Sequence, residues 1–211
     1  MLAVILMTLS VNLPDWFGGI DIYLFDQLLK GRIVPGMRVL DAGCGTGRNL
    51  VYLLRSGFPV FGVDESGAAI EQTRRLAAAL APHLPANNFR LEPVERLSFA
   101  DTTFDVVLSS AVLHFARDEE QWSSMIKEMW RVLKPGGIFF ARLASSIGME
   151  GQVRLIANRR YDLPDGSQRF LVDEAMLLSV TTALGGEFIE PIKTTVVQNM
   201  RAMTTWCLRK P

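Results

Sequence analysis

The sequence predicts an α/β protein: a doubly wound, mostly parallel sheet with helices on both faces. Three observations carry that expectation. Short apolar runs ending at Asp41, Asp64 and Leu108 alternate with segments of helical periodicity, the order that builds strand–helix–strand crossovers. The first run opens into M-R-V-L-D-A-G-C-G-T-G-R-N, residues 37–49, where Gly43, Gly45 and Gly47 stand at alternate positions ahead of a helix. Near the other end, Phe188 to Val197 and Ala202 to Leu208 read as strands around a short Gln198-Asn199 turn, so one of them must run antiparallel.

Composition bounds the rest. A chain of 211 residues with 49% apolar content suits one domain with its own core. Lysine plus arginine equals aspartate plus glutamate at 22 each, so no global charge points to a nucleic-acid partner. Cys44 and Cys207 are too few for a disulfide framework and fit a reducing cytoplasm. Met1 to Met7 is apolar but far shorter than the ~20 residues that span a bilayer. It has no basic leader, so neither a signal peptide nor a membrane span is expected, and it reads as a strand-like lead-in or as residues ahead of the native start.

Taken in order, Trp16 to Lys30 reads as one helix, with Ile20, Tyr23, Leu24, Gln27 and Leu28 on a common face and Gly31 at its end. Pro35-Gly36 turn the chain into the first strand. The helix after the glycine turn runs from Asn49 to Gly57, and Pro59 to Val63 forms the second strand. Ser66 is placed to cap a third helix whose apolar positions Ile70, Ala77, Leu80 and Ala81 recur at helical spacing. Asn88 to Leu91 is the third strand, and Phe104 to Leu108 a buried fourth, with Ser109, Ser110 and Ala111 small at its C-terminal end.

Asp118 caps the clearest helix, with Gln121 three residues on and a core stripe of Trp122, Met125, Ile126, Met129 and Leu133. Lys134-Pro135-Gly136-Gly137 stops that helix ahead of a strand over Ile138 to Leu143. Ser145 to Phe170 shows no clean periodicity and reads as a lid or binding loop. Its arginines, Arg154, Arg159, Arg160 and Arg169, either recognise an oxyanion or form a solvated surface. Asp173 caps a last helix ended by Gly185-Gly186, and Pro191 suits an edge strand.

The chemistry concentrates at the glycine turn. Glycines let backbone approach a ligand with no Cβ in the way, and free N–H groups at the helix start favour electron-rich atoms. A dinucleotide fingerprint G-x-G-x-x-G would put its third glycine at Arg48; here the spacing is G-x-G-x-G after Asp41. Asp64 ends the neighbouring strand, where an acid accepts hydrogen bonds from ribose hydroxyls. Cys44 reads as a small residue filling the turn, because no base stands beside it in sequence.

V-L-D-A-G-C-G-T-G, then G-V-D, F-D-V-V-L-S and R-V-L-K-P-G-G, in that order between Val39 and Gly137, resemble the motifs of class I S-adenosylmethionine-dependent methyltransferases of the small bacterial type. The resemblance implies a seven-stranded sheet of order 3-2-1-4-5-7-6 with the seventh strand reversed. It implies S-adenosylmethionine as cofactor and S-adenosylhomocysteine as its product. Residues 1–211 then make one methyltransferase domain, with 1–35 as a lead-in and helix over the cofactor and 145–170 as a substrate loop.

On that reading Asp64, with Glu65 beside it, meets the ribose. Gly43, Cys44, Gly45, Arg48 and Asn49 face the carboxypropyl and ribose portions, and Asp41 orients the loop or meets the cofactor amino group. Ser109 leaves room for the methionine part. Most members carry an Asp near the adenine where this chain has Pro93, so the Val94 N–H and the Glu95 carboxylate are the adenine candidates. Phe17, Tyr23, Arg142, Arg159 and Tyr161 are substrate-pocket candidates, although the first two read more readily as core aromatics. His114 serves as general base, orients a nucleophile, or packs. No metal site is expected.

Two rival functions stand beside methyl transfer to a small molecule. A passive cofactor-binding protein is kept open by Pro93. An NAD-dependent oxidoreductase is disfavoured by the glycine spacing and the terminal hairpin. The acceptor atom is oxygen, nitrogen, sulfur or a metalloid oxyanion.

Overall fold

The computed structural model describes residues 12–211; the apolar run expected as a lead-in at Met1 to Met7 lies outside them. Helices α1 (Leu13–Phe17) and α2 (Ile22–Leu29) precede strand β1 (Val39–Ala42), α3 (Val51–Arg55), β2 (Val60–Asp64), α4 (Gly67–Leu80), β3 (Phe89–Leu91) and β4 (Phe104–Ser110). Then come α5 (Glu119–Val132), β5 (Leu133–Ser145), β6 (Arg154–Ala157), β7 (Arg160–Asp162) and β8 (Gln168–Phe170). The chain closes with α6 (Glu174–Ala183), β9 (Glu187–Phe188), β10 (Lys193–Val197) and β11 (Arg201–Arg209).

The main sheet has the order β3-β2-β1-β4-β5-β11-β10, and β11 runs antiparallel to both of its neighbours. That is the seven-strand order expected from the motifs. The short β9 is additional, pairing with the end of β11 through Leu208 and Arg209.

Alternating side chains explain why both faces are covered. Leu40, Val107 and Phe139 join one apolar layer with Trp122 and Trp206, while their neighbours Val39, Val106 and Phe140 join the other with Leu53, Phe58 and Ile70. Each such fully buried side chain contributes roughly 1.5–3 kcal/mol. The helix starts are capped as their sequences require: Ser66 accepts from the Ala69 N–H, Asp118 from Gln121 and Asp173 from Met176.

Three expectations are corrected. Trp16 to Lys30 is two helices, because the chain turns at Gly18, where φ is +59° and a Cβ would lie 2.6 Å from Val51 Cγ2. Asp21 therefore caps α2 by accepting from the Tyr23 N–H at 2.9 Å instead of lying within a helix. Ser145 to Phe170 is not an irregular loop; it carries the antiparallel sheet β6-β7-β8. These strands are too short and too exposed to show an alternating apolar pattern. Finally, Lys134 to Gly137 does not interrupt β5, which absorbs it through a register shift against β4.

Candidate functional site

Strand β1 has β2 on one side and β4 on the other, and the C-terminal ends of these strands open onto a cleft at this switch in strand order. The glycine turn forms its floor. Gly43 has φ +82° and a Cβ there would meet Val112 at 2.4 Å, whereas a Cβ on Gly45, at φ +53°, would meet nothing within 4 Å. The first is glycine because the chain is crowded. The second leaves backbone bare toward the cleft.

Asp64 fixes this turn. Its Oδ2 accepts from the Gly45 N–H at 2.9 Å and its Oδ1 from the Ser66 N–H at 2.9 Å. A carboxylate offers about four acceptor sites, so two remain for a ligand. The cavity above has a volume of about 500 Å³ and is walled by Gly43, Cys44, Gly45, Arg48, Asn49, Asp64, Glu65, Val94 and Glu95, together with Thr46, Ser110, Val112, Phe115 and Met125.

Asp41 and Ser109 lie beneath this wall, buried, and among the described residues neither Asp41 oxygen nor the Ser109 hydroxyl has a hydrogen-bond partner. Burial pushes the Asp41 carboxyl up to about 7; Arg48 opposes the shift and Asp64 adds to it. Strand alternation presents Ser110 to the cleft instead of Ser109. The Cys44 thiol is pushed well above its usual value by burial, which makes it a poor nucleophile. At the adenine candidates, the Pro93 carbonyl accepts from the Arg96 N–H at 3.1 Å and Glu95 accepts from Gln121 Nε2 at 2.9 Å.

A second cavity of about 270 Å³ lies behind Ala111, which walls both. His114, Arg142, Asp165, Arg169 and Arg201 line it. His114 is buried, and its Nδ1 accepts the Ala144 N–H at 3.2 Å. The neutral ring then carries its proton on Nε2, which is left as the donor. Burial, and secondarily the charge of Arg169, lower its pKa to about 4.

Of the substrate-pocket candidates, Arg142 alone lines either of these two cavities. Phe17 packs between Phe25 and Tyr52, and Tyr23 lies under the Arg142 guanidinium with its hydroxyl on Thr195. Arg159 pairs with Glu119 and Asp173, and Tyr161 packs beside Leu163 and Leu171.

Residues 40–141 match the family model described as a methyltransferase domain. The chain is 37% identical over 111 residues to the uncharacterized methyltransferase YodH of Bacillus subtilis, covering 53% of this chain and 45% of that protein. This chain carries a methyltransferase domain. Its fold is similar to that of the PH0226 protein from Pyrococcus horikoshii, with a TM-score of 0.72 at 20% identity over 94% of this chain and 96% of the other. It is also similar to the 1,6-didemethyltoxoflavin-N1-methyltransferase of Burkholderia thailandensis, at 0.69 and 20% over 92% and 79%. The chain spans about half the length of the curated relatives it matches, 45% and 47% of the first two.

The cleft also involves a residue that the sequence pattern did not single out. The Asp21 carboxylate accepts from Arg142 at 3.0 Å and from the Ser110 hydroxyl at 3.4 Å, and the Asp21 N–H donates to Asn49 Oδ1 at 2.9 Å. It thereby ties α2 across the cleft mouth. A signal was present: an acid directly after Gly18-Gly19-Ile20 and before an apolar run is an N-cap pattern. No helix among the described residues is long and apolar enough to cross a membrane, and no cluster of possible metal ligands occurs among them.

Proposed function

We propose that this chain transfers the methyl group of S-adenosylmethionine to a small-molecule acceptor by in-line displacement. One observation carries the reading: Asp64 braces the bare Gly45 backbone while keeping two acceptor sites toward the cleft. A ribose diol needs that pairing of acceptors beside an uncrowded backbone. The unpartnered oxygens of Asp41, beneath the turn, fit the same cofactor, since its ammonium could be linked to them through water. The Burkholderia thailandensis neighbour was crystallised with S-adenosylhomocysteine bound, which accords with this use of the fold.

When bound, the cofactor supplies an already electrophilic sulfonium methyl. The chain's own part is positioning. Asp64 and Glu65 hold the sugar end, Val94 and Glu95 border the base, and α2 with Asp21 and Arg142 closes the mouth against water. Orientation of this kind supplies up to ~7–11 kcal/mol of barrier lowering, so no proton-accepting triad is required. His114, donating at Nε2, orients an acceptor rather than deprotonating it.

The test is calorimetry of S-adenosylhomocysteine binding to Asp64→Asn, which keeps one carbonyl acceptor for the turn. Loss of charge-assisted bonds worth about 1.5–3 kcal/mol should weaken binding by roughly 10- to 150-fold. Affinity equal to that of the unaltered chain would remove Asp64 from the site.

A further inference from the structure

We infer that the cavity behind Ala111 receives the methyl acceptor, and that this acceptor is a compact molecule bearing a carboxylate or phosphate held by Arg169 and Arg142. The inference rests on the methyl-transfer reading of the neighbouring cleft and names its substrate class.

Position is the first argument. Ala111 follows β4 at φ +65°, a left-handed conformation uncommon for a residue with a Cβ. Its N–H donates to the Arg142 carbonyl at 2.7 Å. This single residue is wall to both cavities, so a molecule behind it lies next to whatever the cleft holds.

The second argument is the surplus of donors. Arg142 gives Nη1 to Asp21 at 3.0 Å, while its Nε is buried and without a partner among the described residues. Arg169 lies over the Phe115 ring at 4.9 Å and donates Nη1 to the Gln168 carbonyl, but no carboxylate pairs with it among the described residues. Arg201 approaches Asp165 only to 3.9 Å. His114 adds an Nε2–H donor, because Ala144 occupies its Nδ1.

Asp165, the acid in this wall, is engaged by the Ser167 N–H at 3.0 Å and the Ser167 hydroxyl at 2.6 Å. Three guanidinium groups therefore face Asp165 in the wall and Asp21 behind it, 3 − 2, an excess of one positive charge. Partial enclosure strengthens that field relative to water, and guanidinium forks match the geometry of a carboxylate or phosphate. A metal cation would be repelled by the same wall. A volume of about 270 Å³ limits the ligand to small molecules.

The experiment titrates benzoate, phenyl phosphate and uncharged benzamide into the full chain, with and without saturating S-adenosylhomocysteine, by calorimetry. Both anions should bind saturably, with benzamide at least ~10-fold weaker, the value of one charge-assisted contact. The stronger of the two anions identifies the headgroup. Arg169→Gln should weaken the preferred anion by roughly 10- to 150-fold while S-adenosylhomocysteine affinity stays within about 2-fold. Benzamide binding as well as benzoate, or an anion affinity indifferent to Arg169→Gln, would overturn the inference. Should that variant fail to fold, Arg201→Gln on the β10–β11 hairpin takes its place: weakening confined to the anions supports the site, and equal affinities refute it. Absence of S-adenosylhomocysteine binding to the unaltered chain would instead strike the methyl-transfer reading, since the anion titration is also run without it.

Discussion

The cleft over the glycine turn and the cavity behind Ala111 share a wall but are built in different ways. The cleft is lined by residues 43–125, largely from the loops that follow β1, β2 and β4, and much of its surface is backbone and small side chains. The cavity is assembled from the segment after β4, from β5, from β8 and the turn before it, and from the terminal hairpin, and it sets three arginines and Asp165 among apolar side chains such as Leu163, Val197 and Met203. A cofactor common to many reactions can be met by a local motif. On the proposed reading, an acceptor specific to one reaction is met by side chains that only long-range folding brings together.

Asp21 joins the two regions, so its removal is the strongest way to break the contrast. Its side chain is 2% exposed and its partner Arg142 21% exposed. Breaking such a buried pair costs about 3–5 kcal/mol. Asp21→Ala should therefore lose that much stability in urea denaturation, and its S-adenosylhomocysteine affinity should also fall, because α2 is no longer tied to Ser110 and Asn49. A stability loss with no change in binding would show that the two regions are independent.

Each region also hides one titratable group whose charge is disfavoured by burial, with opposite pH signs. His114, lowered from 6.5 to about 4, contributes stability that is present above 6.5 and lost as pH falls toward 4. Asp41, raised from 3.8 to about 7, contributes stability that is full below 3.8 and lost as pH rises toward 7. At about 1.4 kcal/mol per unit, the windows correspond to roughly 3–5 kcal/mol each, so the two largely offset each other. Denaturation curves between pH 4 and 7 should separate them: His114→Gln should become more stable on acidification and Asp41→Asn less stable. Parallel curves for the two variants would mean that neither group is held neutral.

The smallest effect is expected where the sequence placed a substrate residue that the fold turned away. Arg159 pairs with Glu119 and Asp173, whose side chains are 61% and 41% exposed. Exposed pairs of this kind contribute about 0–1 kcal/mol. Arg159→Gln should shift the melting midpoint only slightly and leave benzoate and phenyl phosphate binding unchanged, in contrast to Arg169→Gln. An equal loss of anion binding in both variants would merge the two arginines into one site.

Legibility in the sequence follows the same division. The acids Asp41 and Asp64 at or next to their strand ends, the alternate glycines and the caps at Ser66, Asp118 and Asp173 could be read because each is a local conformational demand written within a few residues. Val94, Glu95 and the glycine-turn residues were likewise found on one wall, although Ser109 gave way to Ser110 by strand alternation. Asp21 was missed because a helical face extended through Gly18-Gly19 conceals the cap. Arg169 and Arg201 were not separable from other charged surface residues, since nothing near them in sequence says what they face.

The amino-acid order by itself determined the parallel α/β sheet, its reversed last strand and the cofactor-type turn, because periodicity and glycine spacing act over short stretches of chain. Only the tertiary structure decided which arginines face inward, which serine meets the cleft and which way the His114 proton points. Those outcomes depend on contacts between elements far apart in the chain, as with Asp21 and Arg142, 121 positions apart.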